Sequence, residues 1–189
     1  MYDLAGKQIL VTGASKGIGK AIARQLLQQG AHVGLHYNRS AQGVEALIEE
    51  FGAERTFPLK ADLGDQKQTE SLFLAALKQM KKIDSVVLNA GIFEPHAVND
   101  PLDSWLNVWQ RTMKVNLESA GILTKLFLQH FQENKQGRFI YVGSRAAVRG
   151  ETEEYLAYAA SKGGLSSLAK TVARSCGKYN IKGGVVARG

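Results

Sequence analysis

The pattern with the most chemistry is a tyrosine followed four residues later by a lysine. If this segment is helical, Tyr158 and Lys162 share one face, and Ser144 lies upstream at the end of an apolar run. A cation beside a phenol lowers its pKa, and a serine hydroxyl can hold a carbonyl oxygen. The three could form a general acid/base site for an alcohol or carbonyl oxygen. In isolation, a tyrosine and lysine at this spacing are more often a buried ring and a solvated charge.

A glycine-rich turn near the N-terminus predicts a phosphate site. Residues 7–12 are expected to form a strand and residues 20–27 a helix, with a G-x-x-x-G-x-G spacing between them. This differs from the best-known dinucleotide spacing, G-x-G-x-x-G. Free N–H groups and the helix dipole bind anions at such a junction, and glycines allow close approach. The candidate cofactor-binding residues here are Gly13, Ser15, Lys16, Gly17, Ile18 and Gly19.

Apolar runs and helical periodicities alternate along the chain. Further strands are expected at 31–37, 56–61, 83–88 and 138–142, and helices at 41–51, 65–80, 102–131 and 155–177. This predicts one domain, residues 1–189, with a three-layer doubly wound parallel α/β sheet of the Rossmann type. Ligands of such sheets bind beyond the carboxyl ends of the strands. The residues expected to meet there are Gly13, Asp62, Leu63, Asn89, Ala90, Gly91 and Ser144.

Together these motifs resemble the short-chain dehydrogenase/reductases, and most closely their 3-oxoacyl-carrier-protein reductase type. Residues 12–19 match the family's cofactor turn, and Asn89-Ala90-Gly91 matches its Asn-Ala-Gly motif. Asn116, Gly143-Ser144 and the 158–162 segment match its catalytic tetrad. The motifs occur in the family's order over nearly the whole chain.

The resemblance implies an NADPH-dependent reductase of a ketone or aldehyde, with 3-oxoacyl thioesters, including carrier-linked ones, among the candidate substrates. In that family the nicotinamide delivers hydride and the tyrosine, here Tyr158, donates the proton. Lys162 would lower the pKa of Tyr158 and bind the nicotinamide ribose. Ser144 would hydrogen-bond the substrate oxygen, and Asn116 would hold a water that links Lys162 to solvent. The alternative is a catalytically silent dinucleotide-binding module with a regulatory or scaffold role.

The choice of cofactor is predicted from the end of the second strand. An acid there usually binds the ribose 2′-OH of NAD, whereas residues 36–40 read His-Tyr-Asn-Arg-Ser. Lys16 and Arg39 both offer positive charge to a 2′-phosphate, which predicts NADPH. An ordinary solvated loop charge is the other interpretation of Arg39.

Composition adds broader expectations. The net charge of +7 is spread along helices, so we expect solvated faces and phosphate contacts rather than a nucleic-acid partner. One cysteine, Cys176, excludes an internal disulfide and suits a packing role in a cytoplasmic protein. The four histidines are dispersed, which predicts no metal site. Neither a signal peptide nor an apolar run long enough to span a membrane is evident.

Two segments depart from the family pattern. Residues 181–189 resemble its sixth strand, with Arg188 where the family has proline, and the family's substrate loop and seventh strand do not follow. Either the sequence is a fragment, or C-terminal residues are lacking from it, or Gly183-Gly184 belongs to the family's terminal Asp-Gly-Gly region.

The acidic residues Glu151, Glu153 and Glu154 are either a solvated helix start or a selector of charged substrates.

The two long helices also predict self-association. One face of each must cover the sheet, and the remaining apolar and small residues would form an exposed surface that packs symmetrically in a homodimer or homotetramer. Related enzymes pair through these helices. The residues concerned are Leu106, Trp109, Met113, Leu117, Leu123 and Phe127 in the first helix, and Leu156, Ala160, Leu165, Leu168 and Val172 with the small residues Gly163, Gly164, Ser166 and Ser167 in the second. The alternative is that all these apolar residues face the core of the monomer.

Overall fold

The computed structural model describes residues 3–187, and its centre is one sheet of six parallel strands. The strands are β1 (Gln8–Val11), β2 (His32–Tyr37), β3 (Thr56–Lys60), β4 (Ser85–Leu88), β5 (Gly137–Val142) and β6 (Ile181–Val186). Their order is β3-β2-β1-β4-β5-β6, so the direction of winding reverses between β1 and β4. The doubly wound parallel sheet is confirmed, and its switch point lies at the β1–β4 junction.

Helices cover both faces of the sheet. They are α1 (Gly17–Gln28), α2 (Gln42–Phe51), α3 (Gln66–Met80), α4 (Leu102–Met113), α5 (Ser119–Glu133), the short α6 (Ala146–Arg149) and α7 (Leu156–Ser175). A 3₁₀ turn, Glu153–Tyr155, precedes α7. The predicted elements are found with small shifts at their ends. The exception is the single helix expected over 102–131, which a π-helical turn, Lys114–Glu118, divides into α4 and α5.

Alternate residues of β1, β4 and β5 enter opposite core layers, as burial of a sheet on both faces requires. Leu10 packs towards the layer that includes residues of α3, α5 and α7, whereas Ile9 and Val11 pack towards the layer that includes residues of α1 and α2. The first layer is centred on fully buried aromatic rings, Phe127, Phe131, Phe139 and Tyr141. This packing fixes the heights of the strands, and therefore the positions of the loops beyond them.

The C-terminal strand is the sixth strand of the sheet. Residues 181–186 pair in parallel with 137–142 over their full length, so Gly183-Gly184 lies beside β5, at the position predicted for the sixth strand. The prediction about Arg188 lies outside the described residues. Cys176 directly follows α7 and is buried in the first core layer, as expected. Within residues 3–187, no helix combines the length and apolar character that crossing a membrane requires.

Candidate active site

The glycine turn has the backbone conformation that an anion site needs. Gly13 and Gly17 have φ values of 69° and 54°, in the left-handed region that favours glycine. A Cβ atom on Gly19 would overlap the carbonyl of Gly13 and the side-chain amide of Asn89. No side chain caps the N-terminus of α1 at Lys16, so the first N–H groups of this helix are not satisfied by a cap. The turn can therefore offer N–H groups to a phosphate.

The turn is tied to β4 by a network centred on Thr12. The Thr12 hydroxyl donates to the Val87 carbonyl at 3.2 Å and accepts the main-chain N–H groups of Asn89 and Ala90 at 2.9 and 3.0 Å. The Asn89 amide donates back to the carbonyls of Thr12 and Gly13 at 2.8 and 3.2 Å. Asn89 thus holds the glycine turn against the end of β4, and its side-chain nitrogen donates both of its hydrogens within the protein.

His36 supports the same turn from β2, a role that the sequence analysis missed. Gly13 N–H donates to its Nδ1 at 3.0 Å, so the proton of the neutral ring lies on Nε2, which donates to the Ala61 carbonyl at 3.1 Å. The side chain is buried, and burial lowers its pKa to about 4. One neutral imidazole therefore connects the carboxyl ends of β1, β2 and β3.

The remaining candidate cofactor residues flank this junction. Asp62 follows β3 and accepts the Gly64 N–H at 2.8 Å, and Leu63 beside it is buried. Lys16 and Arg39 are both exposed, in the glycine turn and just after β2. The segment after β2 contains no acidic residue.

Asn116 occupies the π-helical turn that divides the two long helices. Its side-chain oxygen accepts the Ile92 N–H at 2.8 Å, and its amide nitrogen donates to the Ile92 carbonyl and the Ser161 hydroxyl at 2.9 and 3.1 Å. Ser161 in turn donates to the Tyr158 carbonyl at 2.8 Å. The periodicity of 3.6 residues could not reveal this turn, because the apolar positions continue on both sides of it. π turns are frequent at functional sites.

Lys162 is the buried cation of the site. It is 4% exposed, and its ammonium donates to the Val142 carbonyl at 2.9 Å, at the end of β5. Its Nζ lies 5.8 Å from the ring centre of Tyr158, one helical turn earlier. Burial lowers the pKa of Lys162 to about 8. At pH 7 the amine therefore remains mainly protonated, and it loses its charge as the pH rises through about 8.

Ser144 lies two residues beyond the carbonyl that binds Lys162. Its oxygen accepts the Ala146 N–H at 3.2 Å, which leaves its hydroxyl hydrogen available to another acceptor. Tyr158 is half-buried and packs edge-to-face against Phe93, with ring centres 4.7 Å apart. Phe93 is 52% exposed and stacks on Tyr155 at 3.8 Å. A phenol, a hydroxyl hydrogen and a buried amine thus lie near the carboxyl end of β5, a set of groups suited to proton transfer at a substrate oxygen.

The acidic residues before α7 are exposed, and two of them, Glu153 and Glu154, form part of the 3₁₀ turn that leads into it. This agrees with a solvated helix start. Whether they also select substrates stays a prediction.

Replacing His36 with Asn should flatten the pH dependence of stability. Between the ordinary pKa of 6.5 and about 4, the unfolded chain binds a proton at this residue and the folded chain does not. Stability from neutral His36 is therefore complete above about pH 6.5 and is lost as the pH falls to about 4. The loss is about 3 kcal/mol. Asn keeps an acceptor for Gly13 N–H but cannot take up the proton, and urea unfolding at about pH 7 and about pH 4 measures the difference.

His32→Asn is the matched control, because His32 begins the same strand and is only half-buried. We expect it to retain the pH dependence of the wild type. An equal slope for His36→Asn and the wild type would contradict the assignment of His36.

Comparison with known proteins places this geometry in one family. The family model described as short chain dehydrogenase matches residues 7–189. L-rhamnose 1-dehydrogenase (NAD(P)(+)) from a Sphingomonas species is 36% identical in an alignment of 187 positions that covers 96% of this chain and 71% of that protein. Versicolorin reductase 1 from Aspergillus parasiticus is 31% identical and matches all of this chain and 71% of its own length.

A solved structure shows the same fold. The crystal structure of a putative short-chain alcohol dehydrogenase from Sinorhizobium meliloti superposes with a TM-score of 0.87 at 30% identity. The match covers 98% of this chain and 72% of that one. The chain belongs to the short-chain dehydrogenase/reductase family and is an NAD(P)-dependent oxidoreductase acting on alcohol and carbonyl groups.

Proposed function

We propose that the protein is an NADPH-dependent reductase of a ketone or aldehyde in which Tyr158 donates the proton. The observation that carries this proposal is the buried Lys162, whose ammonium is held one helical turn from Tyr158 beside the end of β5. Burying an amine is costly unless it is hydrogen-bonded, and here a main-chain carbonyl stabilises it in place. A positive charge this close can stabilise the negative charge that develops on the Tyr158 oxygen as its proton leaves.

The residues of the β1–β4 junction fit a dinucleotide. The uncapped start of α1 and the glycines around it suit the phosphates, and a side chain on Gly19 would disrupt the turn. The other groups of the dinucleotide would contact residues that follow β3 and β4 at the same edge of the sheet. These residues are Asp62, Leu63, Asn89, Ala90 and Gly91. In our proposal Lys162 also holds the nicotinamide ribose. When bound, the cofactor supplies the hydride.

The protein's own part is to hold the carbonyl and move a proton. Ser144 keeps a hydroxyl hydrogen free to donate to the substrate oxygen, since its own oxygen accepts from Ala146. Tyr158 gives its proton to the same oxygen, and the ammonium of Lys162 stabilises the phenolate that remains. The side-chain nitrogen of Asn116 donates one hydrogen to the Ile92 carbonyl and the other to the Ser161 hydroxyl. A water that links Lys162 to solvent would therefore be held through an oxygen of Asn116.

The proposed substrate is a small-molecule carbonyl compound. The named relatives include a dehydrogenase of L-rhamnose and a reductase of versicolorin, so their names do not select one substrate class. The resemblance of the motifs favours 3-oxoacyl thioesters, including carrier-linked ones, as the narrower class. A screen of ketones, aldehydes and 3-oxoacyl thioesters, followed through NADPH oxidation, tests the choice.

Tyr158→Phe should abolish most turnover while cofactor still binds. The ring and its contact with Phe93 are kept, and the group that carries the proton is lost. We expect kcat to fall by about 10²–10⁴-fold, the usual effect of losing a general acid/base. Steady-state kinetics and NADPH titration measure the two effects.

Tyr155→Phe is the control, because it keeps the stack on Phe93 and has no lysine four residues later. Loss of activity in the Tyr155 variant alone would contradict the assignment. NADPH binding by a wild type that turns over no carbonyl compound would favour the silent module instead.

The wild type should bind NADPH more tightly than NADH. Lys16 and Arg39 are exposed beside the junction, and no acid follows β2 to repel a 2′-phosphate. Losing a charge-assisted contact in Arg39→Gln should weaken NADPH binding by about tenfold or more and leave NADH binding within about twofold. Fluorescence titration gives both dissociation constants.

Arg24→Gln serves as the control for a lost positive charge on the same side of the sheet. Arg24 lies within α1 and pairs with Glu50 at 2.8 Å. Its replacement should change neither affinity. Equal or tighter binding of NADH by the wild type would contradict the NADPH proposal.

We also propose that the protein forms a homodimer or homotetramer through its long helices. A Cβ atom on Gly163 would meet nothing within 4 Å, so this position of α7 faces open space where a partner could pack closely. Gly163→Leu should leave the protomer folded and shift the mass measured by light scattering towards the monomer. Gly184→Leu, in equally open space on β6, should not shift it. A monomeric mass for the full-length protein would contradict the proposal.

A further inference from the structure

His96 is a buried histidine that has no role in the proposed reaction. It lies between β4 and α4 and is 1% exposed. Its Nε2 accepts the main-chain N–H of Ala157 at 3.2 Å, and its main-chain N–H donates to the Glu154 carbonyl at 2.9 Å. One residue from a distant segment thus binds both the 3₁₀ turn and the first turn of α7.

The bond to Ala157 serves as a cap for α7. The first N–H groups of a helix have no partner within the helix, and the N-cap residue, Tyr155, supplies no side-chain bond. Ala157 is itself buried, so its N–H would be unsatisfied without His96. The residue after Ala157 is Tyr158, whose carbonyl accepts from Ser161 at 2.8 Å.

The hydrogen bond also fixes the state of the ring. A nitrogen that accepts carries no proton, so the proton of the neutral ring lies on Nδ1. Among the described residues, Nδ1 has no hydrogen-bond partner. The ring packs edge-to-face against Trp105 at 4.7 Å, and Trp109 stacks on Trp105 at 5.1 Å. The indole rings pack against the imidazole. In the part of the chain that the structure describes, the one hydrogen bond of the imidazole ring is the bond from the Ala157 N–H at the start of α7.

The neighbouring residues reach the same turn. Three residues earlier, Phe93 stacks on Tyr155 and packs against the edge of Tyr158. Ile92 is bonded to Asn116, which reaches Tyr158 through Ser161. The 92–96 segment therefore contacts the start of α7 in three independent ways. Of these, the hydrogen bond of His96 is the one that binds the main chain directly before Tyr158.

We propose that His96 is a positioning residue that sets the height and direction of the Tyr158 phenol by capping α7. This inference rests on the proposed role of Tyr158 as proton donor. His96 itself does not touch the reacting atoms. Removing its acceptor would leave the Ala157 N–H unsatisfied, and the first turn of α7 would move to find another partner. Small displacements of a reacting group have large effects on the chemical step.

Three variants test the proposal. His96→Leu keeps an apolar side chain and removes the acceptor, and we expect kcat to fall by about tenfold to a hundredfold. The KM for the carbonyl compound and the Kd for NADPH should stay within about threefold. His96→Gln can place its side-chain oxygen near the site of Nε2 and should restore kcat to within about threefold of the wild type.

His130→Leu is the matched control. His130 Nε2 also accepts a main-chain N–H, that of Ile83 at 3.3 Å, before β4 and at the opposite edge of the sheet from Tyr158. Its loss should lower the melting temperature without lowering kcat. Circular dichroism establishes that each variant is folded, and His96→Ala replaces His96→Leu if that variant is not. An unchanged kcat in folded His96→Leu, or no rescue by folded His96→Gln, would overturn the proposal.

A second measurement separates this inference from the proposed function. The aromatic NMR signals of Tyr158, assigned through Tyr158→Phe, should shift in His96→Leu and return in His96→Gln. A wild type without turnover would contradict the proposed function. The NMR comparison would still test whether His96 positions the Tyr158 ring. Unchanged Tyr158 signals in His96→Leu would overturn the role of His96.

Discussion

The junction of β1 and β4 is the constraint on which the site depends. The strand order reverses there, and Thr12 and Asn89 join the two strand ends through their hydroxyl and amide groups. The glycine turn begins directly after Thr12, and the 92–96 segment, which contacts the start of α7, begins three residues after Asn89. One set of hydrogen bonds therefore fixes the cofactor turn on one side and the support of Tyr158 on the other. A shift at this junction would displace both together.

The buried amine of Lys162 imposes a second condition. An ammonium removed from water must be compensated, and the Val142 carbonyl at the end of β5 provides that compensation. The bond holds α7 against β5, so the distance from Tyr158 to Ser144 depends on the packing of the core beneath. Burial also brings the pKa of Lys162 to about 8. The same desolvation that costs stability therefore makes the charge of this residue responsive near neutral pH.

The sequence predicted the elements and the motif residues because both are local signals. Apolar runs gave the strands, and the spacings around Gly13 and Tyr158 identified the turn and the acid/base pair. The division of the long helix at Asn116 was missed, because a π turn changes the hydrogen bonding without interrupting the apolar pattern. The sequence also gave no sign that Asn116 would be bonded to Ile92, since that contact depends on how the helix lies against the end of β4.

The two missed histidines share a physical role that a sequence pattern cannot express. His36 accepts the N–H of Gly13 and His96 accepts the N–H of Ala157, each from a segment distant in the chain. A neutral imidazole has one acceptor and one donor on a rigid ring, so it can satisfy a buried main-chain N–H while it packs as an apolar group. Both N–H groups lie where a regular element begins or ends, at the cofactor turn and next to Tyr158. In this protein, buried neutral histidines therefore satisfy main-chain groups that the regular elements leave unpaired, at the two places where the backbone must be held most firmly for chemistry.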